Sequence, residues 1–402
     1  MIASSVFSGR KYAVYGLARS GMATVEALVA SGAEVTAWDQ NEAACEKVRQ
    51  VGRVHLADPL TTSLEGFDGL VVSPGVPLNR HPISGRANEA GVPLIGDIEL
   101  FAQARPSLPE HKVVGITGTN GKSTTTALVH HIVRTAGRPA TMAGNIGFPI
   151  LGQEPLPEGG VYVLELSSYQ IDLTHSLDCD VAVLLNISPD HLDRYDSFEA
   201  YRASKIRLFE MQSKQHVAVY NFDSLDGGLV AEVVGGSDYW FTLDRVGHLD
   251  HQAEWPALQG PHNAENAAAA IMVASALDIT DDAIARGLAT YPGLPHRMER
   301  VAEKNGVLFV NDSKATNPTS AAPALAAYPA VHWILGGRPK SDDLDACEPF
   351  LDHVRAAYTI GEAGPMFANL LRSRVPVSEC EMLFEAVNEA AEAARPGEVV
   401  LL

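Results

Sequence analysis

The residues with the clearest chemistry form a glycine-rich loop that ends in a lysine and a serine. The segment from Gly115 to Thr124 reads GITGTNGKST, after an apolar β-branched run and before a helical pattern. Backbone N–H groups at the start of such a helix, together with the helix dipole, bind phosphate. The Lys122 ammonium and the Ser123 hydroxyl suit the phosphates and their magnesium ion. The candidate phosphate-binding residues are Gly118, Thr119, Asn120, Gly121, Lys122, Ser123 and Thr124.

The spacing of this loop departs from the common phosphate-binding pattern. That pattern places a glycine five residues before the position of Gly121, and this chain has Ile116 there. The spacing is instead G-x-x-G-x-x-G-K-S-T. An ordinary glycine-rich connection in an α/β domain is the alternative interpretation.

Polar side chains follow two further apolar runs. Glu165 ends the run VYVLE, and Asp190 and His191 lie in SPDHLDRY after VAVLL. Ligands of open α/β sheets bind at the carboxyl ends of the strands. Because an unpaired buried carboxylate is costly, Glu165 is a candidate metal ligand. His191 is equally compatible with a solvated loop histidine, and Lys205, on a helical pattern, with a surface charge.

The surrounding elements predict an α/β protein of three domains. The chain opens with a strand, a glycine turn, a helix and a second strand that ends at Asp39, as in a Rossmann-like unit. Gly16 and Gly21 do not have GxGxxG spacing, which gives little support to a dinucleotide. Proline-punctuated segments at 97–109 and 291–297 predict the domain boundaries. We predict a Rossmann-like N-terminal domain over 1–100, a central P-loop domain with a mostly parallel sheet over 101–293, and a Rossmann-like C-terminal domain over 294–402.

Composition argues against several classes of partner. The 402 residues include 30 Lys and Arg against 49 Asp and Glu, for a formal charge of −19. Nucleic-acid binding needs basic patches, so no nucleic-acid partner is expected. Four dispersed cysteines without a CxxC pair predict reduced thiols, not a zinc site or disulfides. Without a membrane-length apolar run or a secretion signal, we expect a cytoplasmic, monomeric protein with no membrane partner.

Eight short motifs carry a resemblance to a known family. In chain order they are GITGTNGKST, GNIG, ELSSYQ, SPDHLDRY, AYRASK, HRMERV, NDSKATNP and LGGRPK. From about Tyr12 to the end, the chain resembles the Mur ligases of peptidoglycan assembly, and among them the branch that adds D-glutamate. NDSKATN is the most discriminating motif, because folylpolyglutamate synthases share the loop spacing but are not expected to share this box.

The resemblance implies an amide ligase that uses ATP and Mg²⁺. In that reaction the carboxylate of UDP-N-acetylmuramoyl-L-alanine attacks the γ-phosphate, and the amine of D-glutamate then displaces phosphate from the acyl phosphate. Lys122 would neutralise the β- and γ-phosphates, and Ser123 with Glu165 would hold one Mg²⁺. His191 and Lys205 match a second metal site, in which Lys205 is carbamylated because a protonated amine cannot ligate a metal. The implied catalytic residues are Lys122, Asn145, His191 and Lys205.

The other implied contacts divide by ligand. Asn145 matches a contact to the muramoyl substrate, and the positions that match UDP contacts are Arg19, Ser20, Asp39 and Gly75. The positions that match nucleotide contacts are Asn266 for adenine, Arg297 for phosphate and Asp312 for ribose, with Lys314 beside them. Thr316 and Lys340 match D-glutamate contacts, and the Lys340 ammonium suits a carboxylate. Arg297 and Lys314 are also compatible with structural ion pairs.

Other enzyme classes account for only part of the chain. A P-loop kinase or regulatory NTPase explains the central region and leaves NDSKATN and the Rossmann-like start without a role. A dinucleotide oxidoreductase explains the start but not the phosphate loop. Another Mur-type or folylpolyglutamate-like amino-acid ligase is the nearest alternative.

The C-terminal motif carries one further expectation. The chain finishes with EVVLL, which is typical of a buried strand, although termini normally lie at the surface. In the resembling family a serine-containing turn and a helix follow this strand and complete the D-glutamate pocket. The resemblance therefore implies a truncated C-terminal domain and poor ligation by the chain as given.

Overall fold

Three separate sheets organise the computed structural model, which describes residues 1–190, 193–221, 225–234, 238–241, 249–339 and 342–402. Two compact units divide the chain: Met1–Arg245 with Ala269–Gly287, and Val246–Ala268 with Leu288–Leu402. The first unit holds two of the sheets, and the second holds the third. The predicted α/β class with three domains is confirmed.

The first sheet is a Rossmann-like arrangement of parallel strands. Its strands are β1 (Lys11–Tyr15), β2 (Glu34–Trp38), β3 (Val54–Leu56), β4 (Gly69–Val72) and β5 (Leu94–Ile95). The helices of this region are α1 (Arg19–Ala30), α2 (Glu42–Arg49), α3 (Ile83–Ala90) and α4 (Asp97–Ala104). The order β3-β2-β1-β4-β5 places the turns after β1 and β4 side by side at the carboxyl edge.

The turn after β1 requires both of its glycines. Gly16 has a φ of 92°, in the left-handed region that favours glycine. A Cβ on Gly21 would lie 1.9 Å from the Gly16 carbonyl oxygen. Helix α1 therefore packs on the turn through Gly21, which explains a glycine spacing that differs from GxGxxG.

The second sheet carries the glycine-rich loop. Its strands are β6 (His111–Thr117), β7 (Ala140–Gly144), β8 (Gly160–Glu165), β9 (Val181–Leu184), β10 (Val217–Asn221) and β11 (Asp238–Phe241). Its helices are α5 (Lys122–Thr135), α6 (Ser168–Asp172), α7 (Phe198–Glu210), α8 (Leu225–Val234), α9 (Pro261–Ala276) and α10 (Asp281–Thr290). The order is β11-β10-β9-β6-β8-β7 with parallel pairs throughout, so β6 lies between β9 and β8 and its apolar residues are buried.

Local sequence fixes where two functional helices begin. The Ser197 hydroxyl accepts a hydrogen bond from the Ala200 N–H at 3.2 Å, which caps α7. Ser167 and Gln170 form a capping box at the start of α6. Helix α7 begins at Phe198 and carries Lys205, as the helical pattern predicts.

The third sheet mixes one antiparallel pair with parallel strands. Its strands are β12 (Glu299–Lys304), β13 (Val307–Asn311), β14 (Val331–Gly336), β15 (Val354–Ile360), β16 (Val377–Glu379) and β17 (Val399–Leu401). Its helices are α11 (Pro318–Ala326), α12 (Gly364–Leu371) and α13 (Leu383–Ala393). Strand β17 is buried between β13 and β14, so the prediction that EVVLL forms a buried strand is confirmed.

Three further features bear on the sequence predictions. The four cysteines are free thiols, as their spacing predicts. None of the helices that the structure describes has the length and apolar character needed to cross a membrane. The predicted domain boundaries stay predictions; the one at residue 100 falls inside α4, and the one at residue 293 falls between α10 and β12.

Short 3-10 segments cover Ser5–Phe7, Arg105–Ser107, Ile150–Gly152, Leu249–Glu254 and Asp345–His353.

Candidate active site

The glycine-rich loop connects the end of β6 to the start of α5. Gly121 has a φ of 83°, and Lys122 is the first residue of the helix. Asn186, just after β9, fixes the loop: its carbonyl oxygen accepts from the Thr119 N–H at 2.8 Å, and its Oδ1 accepts from the Asn120 N–H at 2.9 Å. The loop therefore has the strand, turn and helix start that a phosphate site needs.

Two lysines converge on one carbonyl oxygen of this loop. Lys122 Nζ lies 2.9 Å from the Gly118 carbonyl oxygen and 2.8 Å from that of Thr119. Lys205 Nζ also lies 2.9 Å from the Gly118 carbonyl oxygen. Two ammonium groups on one acceptor repel each other, so the arrangement disfavours a second positive charge and favours an anionic ligand beside them.

Lys205 is buried, and the alternative that it is a surface charge is wrong. Its side chain is 2% exposed, and Nζ lies 4.7 Å from the centre of the Tyr201 ring. Burial, followed by the charge of Lys122, holds the pKa of Lys205 well below its usual value. The amine is therefore biased toward its neutral, nucleophilic form.

Glu165 lies at the end of β8, where it pairs in register with Ile116 of β6. The residue is 2% exposed, and its Oε1 accepts from Asn145 Nδ2 at 2.8 Å. Among the described residues, no hydrogen-bond donor reaches its buried Oε2. Asn145 itself is exposed, so one side chain joins the buried carboxylate to a surface that a substrate can reach.

The orphaned oxygen of Glu165 is the feature that fits a metal ion. A buried carboxylate oxygen without a donor is costly, and Mg²⁺ prefers carboxylate and hydroxyl oxygens. Ser123, on the first turn of α5, is the predicted companion ligand. In the part of the chain that the structure describes, no group of three His, Cys, Asp or Glu forms a ready metal site. His191, predicted for a second metal, lies outside the described residues.

The N-terminal turn holds an acid where the central loop holds lysines. Asp39 Oδ2 accepts from the Leu17 N–H at 2.6 Å, and Oδ1 accepts from the Asn41 N–H at 2.7 Å. Arg19 is exposed at the start of α1 and donates from Nη2 to the Gly147 carbonyl oxygen at 2.6 Å. Ser20, on the same helix, and Gly75, in the exposed turn after β4, lie at the neighbouring carboxyl edge.

In the second unit, Asp312 lies just after β13. Its Oδ1 accepts from the Met298 N–H at 2.9 Å. Burial raises its pKa to about 6, while the Met298 hydrogen bond and the Arg297 charge act in the opposite direction. Lys314 is exposed, and its N–H donates to the His296 carbonyl oxygen at 3.1 Å. The structure thus brings together two stretches of chain that carry three predicted nucleotide contacts, Arg297 on one and Asp312 and Lys314 on the other.

Backbone strain surrounds Arg297. His296 and Met298 have φ values of 63° and 47°, although neither is glycine. Non-glycine residues in this region cost free energy and are found at functional sites more often than elsewhere. The strain is maintained by contacts such as that of the His296 N–H with Glu299 Oε2 at 2.7 Å.

A cavity of about 310 Å³ lies beside this segment, within the second unit. Asp312, Thr316 and Arg338 contribute polar lining, and Trp333, Leu335 and Leu401 contribute apolar lining. Thr316 is exposed at the start of the segment that leads to α11. Lys340, the other predicted D-glutamate contact, lies outside the described residues.

Asn266 lies on α9 and is 5% exposed. Its Nδ2 donates to Asn263 Oδ1 at 3.1 Å, and Asn263 Nδ2 donates to the Gln259 carbonyl oxygen at 3.0 Å. Both amides are therefore buried and hydrogen-bonded on the helix that carries the predicted adenine contact.

Three family models match the chain. They are the MurD-like Mur ligase N-terminal domain at residues 10–96, the Mur ligase middle domain at 116–241 and the Mur ligase glutamate ligase domain at 296–402. A UDP-N-acetylmuramoylalanine--D-glutamate ligase of Novosphingobium aromaticivorans is 63% identical over 404 residues, which cover 100% of this chain and 91% of the relative. The chain belongs to the Mur ligase family. A relative of the same name from Zymomonas mobilis is 56% identical over 414 residues, which cover 100% of this chain and 94% of the relative.

Solved Mur ligase structures share the fold. The MurF ligase of Thermotoga maritima, in complex with ADP, has a TM-score of 0.63 at 16% identity and covers 100% of this chain and 92% of that one. The UDP-N-acetylmuramate-alanine ligase MurC of the same organism has a TM-score of 0.57 at 16% identity, and the match covers 98% of this chain and 94% of that one. Membership of the Mur ligase family accounts for all three regions, whereas a kinase, an NTPase or an oxidoreductase accounts for one.

Sequence reasoning on this Mur ligase missed several polar residues that the structure places at the predicted sites. Asn186 fixes the phosphate loop, and Asn263 supports Asn266. Arg194 lies inside SPDHLDRY, a motif that was used for the family resemblance without any role for its arginine. A basic residue within an acidic loop is the signal that could have singled it out.

Proposed function

We propose that this protein is an ATP-dependent ligase that joins D-glutamate to UDP-N-acetylmuramoyl-L-alanine in peptidoglycan precursor synthesis. The observation that carries the proposal is the grouping of Glu165, Asn145, Lys122 and Lys205 around the carboxyl ends of β6 and β8. The names of the relatives at 63% and 56% identity support the same substrates.

The chemistry explains why a ligase needs these residues. The L-alanine carboxylate of the substrate attacks the γ-phosphorus of ATP, so two negatively charged groups must approach each other and ADP must leave. Lys122, at the start of α5, neutralises the phosphates as this charge develops. A Mg²⁺ ion held by Ser123 and Glu165 would supply Lewis acidity at the γ-phosphate. Asn145, held by Glu165, orients the muramoyl substrate at the same edge.

The second step forms the amide bond. The D-glutamate amine attacks the carbonyl carbon of the acyl phosphate, and inorganic phosphate leaves with the oxygen that came from the carboxylate. Thr316 and Lys340 are the proposed contacts for the incoming amino acid. The cavity beside Thr316 supports this placement by its size and its mixed lining.

We further propose that Lys205 is carbamylated in the active enzyme. Its burial beside a second ammonium group favours the neutral amine, which attacks CO₂ and releases a proton to form an anionic carbamate. The carbamate would act with His191 as an oxygen ligand for a second Mg²⁺. A carbamate carbon signal is expected in folded enzyme supplied with ¹³C-labelled bicarbonate and should be absent from Lys205→Ala; a bare lysine in nucleotide-bound enzyme would count against it.

The remaining site residues are assigned by ligand. In the proposal residues 1–100 bind the UDP moiety through Arg19, Ser20, Asp39 and Gly75. The proposed ATP contacts are the loop of residues 118–124, Asn266, Arg297, Asp312 and Lys314. The strained backbone around Arg297 supports a functional role for that segment. A monomeric, cytoplasmic state is part of the same proposal.

Phosphate release from ATP tests the proposed reaction. Release is expected to require both UDP-N-acetylmuramoyl-L-alanine and D-glutamate, and L-alanine, L-lysine and meso-diaminopimelate are expected to replace D-glutamate poorly. Release that needs neither substrate would favour an NTPase. Release with another amino acid but not with D-glutamate would favour a different Mur-type ligase.

A further inference from the structure

Arg194 connects two loops of the first compact unit. It lies between β9 and α7, in the segment that also carries Asp190. Its Nη2 donates to the carbonyl oxygens of Pro74 at 3.2 Å and Val76 at 2.9 Å, and its Nη1 donates to that of Gly75 at 3.3 Å. One guanidinium thus binds three consecutive carbonyls of the turn after β4.

A second contact fixes the guanidinium from helix α6. Its carbon lies 4.2 Å from the centre of the Tyr169 ring, in cation–π contact. Tyr169 is stacked on Tyr195 at 6.0 Å, and the Tyr195 hydroxyl donates to Asp172 Oδ2 at 2.7 Å. Only a planar group with several donors can stack and bind three carbonyls together, so lysine is not an equivalent side chain here.

The same turn is connected onward to the N-terminal glycine turn. The Ser73 hydroxyl donates to the Gly16 carbonyl oxygen at 2.9 Å, and the Val76 N–H donates to the Ser73 carbonyl oxygen at 3.0 Å. A contact in the reverse direction, from Asn79 Nδ2 to the Asp193 carbonyl oxygen at 3.2 Å, supports the same junction. Arg194 therefore influences both N-terminal turns at the predicted UDP site.

The contacts of Arg194 offset negative charge at the predicted UDP site. Carbonyl oxygens carry partial negative charge and repel a diphosphate, and the whole chain has a formal charge of −19. With the carbonyls of residues 74–76 directed at Arg194, their charge is offset by a guanidinium. Arg19, which reaches the Gly147 carbonyl from the N-terminal side, adds a second positive charge near the same edge.

We propose that Arg194 is a positioning residue for the UDP-linked substrate, because it holds the Pro74–Val76 turn against the loop that carries Asp190. This inference rests on the proposed function, since it assumes that the turn binds UDP. Arg194 does not contact the reacting atoms in this account. Its removal should weaken the UDP-linked substrate selectively and leave ATP binding at the separate glycine-rich loop intact.

Direct binding of the two ligands to full-length variants tests the inference. Arg194→Ala should raise the Kd of UDP-N-acetylmuramoyl-L-alanine ~10-fold or more and change that of ATP less than about twofold. Arg194→Lys keeps the positive charge but not the forked guanidinium, so its Kd for the UDP-linked substrate should lie between those of wild type and Arg194→Ala. Arg86→Ala is the matched control: Arg86 is a half-buried arginine that donates to the Thr62 carbonyl oxygen at 3.0 Å. It should leave both dissociation constants unchanged.

The outcomes separate this inference from the proposed reaction. Equal weakening of both ligands, an unchanged Kd for the UDP-linked substrate, or full function of Arg194→Lys would overturn the positioning role. A thermal melt matching that of Arg86→Ala would show that altered binding is not a loss of fold. Wild-type protein that binds the UDP-linked substrate but never releases phosphate would contradict the ligase proposal alone. Wild-type protein that does not bind this substrate would overturn both.

Discussion

Two glycine turns in this molecule share one backbone plan and differ in charge. Each follows a buried parallel strand and leads into a helix, after β1 in the N-terminal sheet and after β6 in the central sheet. At the first turn, the carboxylate of Asp39 accepts from the Leu17 N–H. At the second, the Nζ atoms of Lys122 and Lys205 both lie 2.9 Å from the Gly118 carbonyl oxygen.

The buried groups beneath the two turns differ in the same way. Asp97 lines a small cavity with Ser20, Gly21 and Thr24 under the first turn. Lys205 lies under the second. A carboxylate already bound to a backbone N–H leaves little attraction for a triphosphate, whereas the Lys122 ammonium attracts one. The strand-turn-helix plan alone therefore does not determine which ligand binds; the titratable side chains around it do.

Lys122→Ala should have the largest effect on turnover, and this effect should arise at the second turn alone. The variant loses the cation at the β- and γ-phosphates, so turnover should fall to a few per cent or less, with the fold intact. Phosphate release and a thermal melt measure the two effects. Lys112→Ala is the control, because Lys112 is an exposed lysine on β6, the strand that leads into the same loop, and is paired with Asp180 at 2.8 Å. Retention of substantial activity in Lys122→Ala would remove the distinction between the turns.

Asp39→Asn should have an intermediate effect confined to the first turn. Two backbone N–H groups lose a charged acceptor, so KM for the UDP-linked substrate should rise about tenfold while KM for ATP is unchanged. The matched control is Asp58→Asn, whose carboxylate accepts from the Leu60 N–H at 2.9 Å in the same region. A larger effect on ATP than on the UDP-linked substrate would contradict the assignment of ligands to turns.

Asp97→Asn should have the smallest effect, on stability and its pH dependence. Burial raises the pKa of Asp97 to about 6, against an ordinary value of 3.8, with a hydrogen bond from the Ile98 N–H opposing this. The folded state therefore binds the proton more tightly than the unfolded state, and the protonated form stabilises it. This stabilisation is complete below pH 3.8 and is lost as the pH rises through 6.

The amide variant lacks that ionisation, so its Tm should exceed that of wild type above pH 6, by roughly 2 °C or more, and approach it near pH 4. Thermal melts across this range measure the difference. Asp68→Asn, at an exposed carboxylate beside the same sheet, should show no such pH-dependent gain. A Tm of Asp97→Asn that stays at or below the wild-type value at pH 8 would exclude an ionised, destabilising Asp97.

Much of the fold followed from local pattern. Local sequence alone predicts three features: the strand β6 from its β-branched run, the two turns from their glycines, and the last strand from the apolar segment EVVLL. The glycine spacing of the first turn was recognised but not explained, because the need for Gly21 arises from its approach to the Gly16 carbonyl oxygen. Sequence does not show a contact between two segments of backbone.

The site was less accessible to sequence for the same reason. Lys205 could not be distinguished from a surface lysine, because its burial depends on how α7 packs beside the glycine-rich loop. Arg194 acts on carbonyl groups, which every residue has, so its partners carry no side-chain signal. Only the family resemblance gave Lys205 a role, and it gave Arg194 none.

The central claim is that the lysine-lined turn activates a carboxylate with ATP. It is tested by using UDP-N-acetylmuramoyl-L-alanine labelled with oxygen-18 in its carboxylate, together with ATP and D-glutamate. Because the attacking oxygen leaves with phosphorus in the second step, the released phosphate should carry one labelled oxygen. Unlabelled phosphate, with both labelled oxygens still in the substrate carboxylate, would show that ATP is hydrolysed by water and would contradict the account.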